Sequence, residues 1–123
     1  MVNSPPSNRT LGDILRDARL DLDLSLRDLA KKLDVTPSYL SDIENNRRVP
    51  SEEVLRSMAH TLRLDFDELM ARAGRFGDDA LRYMQRTPAA GVLFRKLADS
   101  DAPGDVVEKL IKQSEVLAGK KKA

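Results

Sequence analysis

The 123-residue chain has no cysteine, no tryptophan and a single histidine, His60. Without cysteine there are no disulfides and no thiolate metal sites, as expected of a cytoplasmic protein. One histidine, with no second one and no glycine-rich phosphate loop, completes none of the usual catalytic or metal-binding constellations. Neither an enzyme, a metal nor any other cofactor is expected. No run approaches the ~18 consecutive apolar residues of a membrane span, and the first residues lack the basic-then-apolar order of a secretory signal. Aromatic residues make up only 4%, and no alternating apolar and polar stretch is long enough for a strand. Charge of one sign is missing too: a third of the residues are charged, yet the formal net charge is +1. An overall positive field therefore cannot draw in a polyanion, and such affinity would need a local patch and a second copy.

What the chain does contain is helix, closely punctuated. Residues 1–8 (MVNSPPSN) are polar and carry prolines, and read as a disordered lead-in. Thr10 is a helix N-cap with Asp13 three residues on, and Leu11, Ile14, Leu15, Ala18 and Leu22 follow at helical spacing. A second helix is expected over Ser25–Leu33, capped by Ser25 with Asp28 at its third position and with Leu26, Leu29, Ala30 and Leu33 facing inward. A third runs over Pro37–Asn45 on the core pair Leu40 and Ile43. Ser51 caps a fourth, with Glu52 and Glu53 in its first turn and Val54, Leu55, Met58, Ala59 and Leu62 inward. Asp65 caps a short fifth that ends before Gly74. The domain reading is thus a lead-in over 1–8, an all-α domain over 9–74, a helical region over 75–118 and a basic tail over 119–123.

Leu24–Pro50 carries the function. Two short helices meet through a tight turn, and a polar loop with Arg47 and Arg48 follows, which is the layout of a helix-turn-helix. Thr36-Pro37 marks the start of the second of these helices. Threonine caps well, and proline suits the first helical position, where its missing N–H would have had no partner. Ala30 sits where the two helices approach most closely. Asp34 and Asn46 stand where glycine would be usual, and both are residue types that tolerate left-handed backbone.

These segments, LGDILRDAR, LSLRDLAKKL, TPSYLSDIENNRRVPS, SEEVLRSMAHTL and DFDELMARAG, together resemble the lambda-repressor-like, or xenobiotic-response-element, family of DNA-binding domains over residues 11–74. The resemblance implies a five-helix fold whose third helix enters the major groove of double-stranded DNA. In this sequence that face offers Ser38, Tyr39, Ser41 and Asp42 to the bases, with Asp42 able to accept from cytosine N4. Phosphate contacts would fall to Ser25 and Arg27 at the start of the second helix and to Asn45, Arg47 and Arg48. The family often has glutamine where Leu26 stands, and Arg27 is the nearest substitute. The resemblance also places Arg19 against Glu44 as a partly buried structural ion pair.

After Gly74, Phe76–Gly77–Asp78 reads as a hinge, and helical segments follow near Asp79–Arg86, Pro88–Ala98 and Ala102–Leu117. Each carries one apolar stripe, and ~45 residues are too few to bury a core alone with any margin. Leu81, Met84, Val92, Leu93, Leu97, Val107, Leu110 and Ile111 are the candidate homodimer contact. The expected function is a dimeric repressor on a near-palindromic operator. Family analogy adds a regulatory protein partner: a metallopeptidase that inactivates the repressor, or alternatively a toxin that the chain neutralises while repressing its own operon.

Overall fold

The computed structural model describes residues 9–122, and within them eight helices and no strand. They are α1 (Leu11–Asp21), α2 (Leu26–Leu33), α3 (Pro37–Glu44), α4 (Glu52–Leu62), α5 (Phe66–Arg72), α6 (Asp78–Arg86), α7 (Pro88–Asp99) and α8 (Gly104–Lys122). The chain divides into two compact units after Gly77.

In the first unit each helix begins where a short polar side chain can take over an orphaned backbone donor. Thr10 accepts from the Asp13 amide at 3.1 Å while the Asp13 carboxylate accepts from the Thr10 amide at 3.2 Å. Those hydrogen bonds hold the Asp13 carboxyl below its ordinary pKa. Ser25 and Asp28 repeat the reciprocal arrangement at α2, Thr36 caps α3 with Pro37 at its first position, and Ser51 and Asp65 cap α4 and α5. The helix ends use left-handed residues: Asp34 at φ 56°, Asn46 at φ 60°, Arg63 at φ 58° and Gly74 at φ 71°.

The caps set the helices in register so that their apolar faces converge. Leu15, Leu29, Leu40, Ile43, Leu55, Met58 and Leu69 are fully buried, with Pro50 among them. Each such side chain contributes about 1.5–3 kcal/mol relative to exposure. Ala30 has no exposed surface, as expected at the close approach of α2 and α3. Leu22, expected in the α1 stripe, is not inward. It is the C-cap of α1 and stands 37% exposed. The chain turns there, with the Leu24 amide bonded to the Arg19 carbonyl at 3.1 Å, and Leu24 packs on the core instead. Helix α3 stops one residue earlier than expected, with Asn45 as its cap.

In the second unit α6 packs on α7, and neither buries a residue. The stretch expected as a loose tail continues α8 as far as Lys122. The expected lead-in, 1–8, and Ala123 lie outside the described residues.

The α1–α3 crossing is set by Gly12. A Cβ built there would stand 2.2 Å from the Glu44 carbonyl oxygen and 2.8 Å from its carbon, both backbone. Gly12→Ala would ordinarily favour a helix by about 1 kcal/mol. Here the two helices must move apart, an overpacking that costs about 1–3 kcal/mol. Urea unfolding should show Gly12→Ala to be net destabilising, against the propensity trend.

Candidate nucleic-acid interface

The exposed side of α3 is polar from its first turn. The Thr36 hydroxyl accepts from the Tyr39 amide at 3.1 Å, and Pro37 and Ser38 are exposed. Tyr39, Ser41 and Asp42 are half-buried, and Tyr39 rests partly on the hydrophobic core. No acidic residue lies in the first turn of α3, so nothing there opposes an approaching anion.

The loop after α3 folds back on the helix. Asn46 turns the backbone, and the Arg47 amide donates to the Asp42 carbonyl at 2.8 Å. The Arg47 guanidinium then lies 3.7 Å from the Asp42 carboxylate. Arg48 goes the other way, its guanidinium carbon 5.0 Å from the centre of the Tyr39 ring. Asn45 is exposed but engaged by its own chain: its Nδ2 donates to the Ser41 carbonyl at 2.8 Å and to the Ser41 hydroxyl at 3.3 Å, and its Oδ1 accepts from Arg16 at 3.1 Å. At the start of α2, the Ser25 hydroxyl accepts from Asp28 at 3.0 Å, while Arg27 is exposed. The structure thus gathers Tyr39, Ser41, Asp42, Asn45, Arg47 and Arg48 on α3 and its loop. Ser25 and Arg27 lie at the head of the helix before it.

Beneath this surface Glu44 is the one buried charged residue among the described residues, 3% exposed. Arg19 meets it with a two-pronged contact, Nε to Oε2 at 2.8 Å and Nη2 to Oε1 at 2.9 Å. The third Arg19 nitrogen donates to the Leu24 carbonyl at 2.9 Å. That hydrogen bonding to Glu44 holds the Arg19 guanidinium above its ordinary pKa, against the opposing effect of burial. Arg16, which sequence reasoning passed over, donates to the Glu44 carbonyl at 3.1 Å and lies 3.6 Å from the carboxylate. Asn46, a left-handed turn residue, also ties α1 to the loop through its side chain. Its Oδ1 accepts from the Gly12 amide at 3.1 Å and its Nδ2 donates to the Thr10 hydroxyl at 2.9 Å. The only local signal for these contacts was glycine in the first turn of a helix.

Charge is distributed locally. Between Arg9 and Gly77 there are twelve Lys and Arg against thirteen Asp and Glu. Between Ser25 and Val49 the count is five against four, and Glu44 is buried with Arg19 while Asp28 is committed to a cap. The balance on α2, α3 and the loop is therefore positive where α1, α4 and α5 bring most of the acid.

Residues 15–69 match the helix-turn-helix family. Over 79 residues the chain is 34% identical to the transcriptional regulator ClgR of Mycobacterium tuberculosis, covering 64% of this chain and 70% of that protein. The chain belongs to the lambda-repressor-like helix-turn-helix family. It is also 34% identical over 85 residues to the HTH-type transcriptional regulator DdrOP3 of Deinococcus deserti, covering 69% of this chain and 59% of that one. Among solved structures it is similar to the clp gene regulator ClgR of Corynebacterium glutamicum, at 35% identity and a TM-score of 0.46, over 58% of this chain and 92% of that one. The relatives are transcriptional regulators.

Removing one partner of the Arg19–Glu44 pair strands the other charge in the core. Arg19→Ala is expected to cost about 3–5 kcal/mol in urea unfolding. Joint replacement by apolar residues, Arg19→Met with Glu44→Leu, should recover a large part of that loss.

Proposed function

We propose that the chain is a sequence-specific DNA-binding transcriptional repressor that works as a homodimer. The observation that carries the reading is α3 itself: a capped helix, apolar beneath, polar above, with an arginine loop folded back along its exposed end. Ser38, Tyr39, Ser41 and Asp42 face the base edges. Serine reads permissively, Tyr39 suits a thymine methyl or a phosphate, and Asp42 accepts from cytosine N4. Ser25, Arg27, Asn45 and the loop arginines lie towards the phosphates. Asn45 contributes as a link between Arg16 and α3 more than as a free donor, because its amide is engaged at both ends.

A near-neutral domain with so few cationic contacts binds weakly alone. Two copies on half-sites about one helical turn apart, ~34 Å, supply the missing affinity. The second unit supports the dimer reading, since Leu81 is 47%, Val92 40%, Leu93 44% and Ile111 51% exposed. Met84, Leu97 and Leu110 are half-buried, and Val107 is exposed. The same apolar faces suit control by a protein that covers them. A metallopeptidase would cut the chain, whereas a toxin would co-purify with it.

Binding of the full chain to a duplex selected from a random pool should weaken steeply with salt, as phosphate contacts release counterions. Salt-insensitive binding to a protein, with no shift on any DNA, sinks the repressor reading. A chain ending at Gly77 should sediment as a monomer with weakened operator binding; if it remains a dimer, the second unit is not the dimer contact.

A further inference from the structure

The two consecutive arginines of the α3 loop stand in different surroundings. We propose that they divide the work, Arg48 being the phosphate contact and Arg47 a positioning residue that neutralises Asp42 on the reading face. The division rests on the reading of α3 as the DNA-reading helix.

Arg48 makes no ion pair among the described residues. Its guanidinium lies over the Tyr39 ring at 5.0 Å, and that ring is itself held against the core. Contact with the ring restrains the guanidinium and leaves its N–H groups for an anion. Tyr39 is thus a platform that keeps a long, flexible cation near where the DNA backbone would run.

Arg47 is bound twice to one residue. Its amide donates to the Asp42 carbonyl at 2.8 Å, which brings its side chain to 3.7 Å from the Asp42 carboxylate. A bare carboxylate on a DNA-reading face repels phosphate, but the Asp42–Arg47 pair carries no net charge. At 71% and 35% side-chain exposure the pair is loose. The carboxylate keeps lone pairs for a donor such as cytosine N4. Asp42 in turn withholds Arg47 from indiscriminate phosphate binding.

The test measures affinity of the full chain against salt, for a duplex selected from a random pool and for an unrelated duplex. Arg48→Ala should lower the slope of log K against log salt by about 0.9 and weaken both duplexes alike. Arg47→Ala should weaken binding and lower that slope by less than Arg48→Ala does, because no phosphate contact is lost and only the salt-screened repulsion of the uncovered Asp42 is added. Asp42→Asn should tighten the unrelated duplex and steepen the slope by about 0.9, through the released Arg47. Adding Arg47→Ala to Asp42→Asn should abolish that gain. Unchanged unfolding midpoints confirm that these surface variants fold. Equal slope losses from Arg47→Ala and Arg48→Ala overturn the division while leaving the DNA reading intact. A wild-type chain that shifts no DNA overturns both.

Discussion

Glu44 is the constraint on which the placement of α3 depends. A carboxylate at 3% exposure is tolerable only with its oxygens occupied, and Arg19 occupies both. Arg16 takes the carbonyl of the same residue, and Gly12 leaves room for that carbonyl against α1. Side chain and main chain of one residue are therefore both anchored to α1. The exposed face of α3 is presented to solvent at the angle this anchoring dictates. The exposed face of α3 is polar, while the burial that fixes the helix falls on Leu40, Ile43 and Glu44.

Local chemistry made the helices legible. Thr10, Ser25, Thr36, Ser51 and Asp65 announce helix starts because a side-chain oxygen two or three residues before an amide is a sequence-local event. Asp34 and Asn46 announce turns for the same reason, being the non-glycine types that accept left-handed backbone. Leu22 misled because helical periodicity does not say where a helix stops, and Leu24 took its place on the core. Arg16 was illegible in the sequence, and Gly12 gave only the hint of a glycine in a first turn, because their partner is a backbone oxygen about thirty residues away. The Arg19–Glu44 pair, 25 residues apart, was implied by family resemblance alone.

The site divides along the same line. Which residues lie on the polar face of α3 follows from its cap and its core pair Leu40 and Ile43. Which of them are engaged follows only from the folding back of the loop. Asn45 has its amide used at both ends, Arg47 lies beside Asp42, and Arg48 lies over a ring. The sequence shows five cations between Ser25 and Val49, and the fold gives two of them, Arg47 and Arg48, different partners.

The second unit has its own consequence. Helices α6 and α7 bury no residue, so they lose little when they open. A segment that opens readily is the first that a degrading enzyme meets, and covering it by any binder raises the cost of opening through mass action. Any binder that occupied those faces would therefore lengthen the half-life of the whole chain.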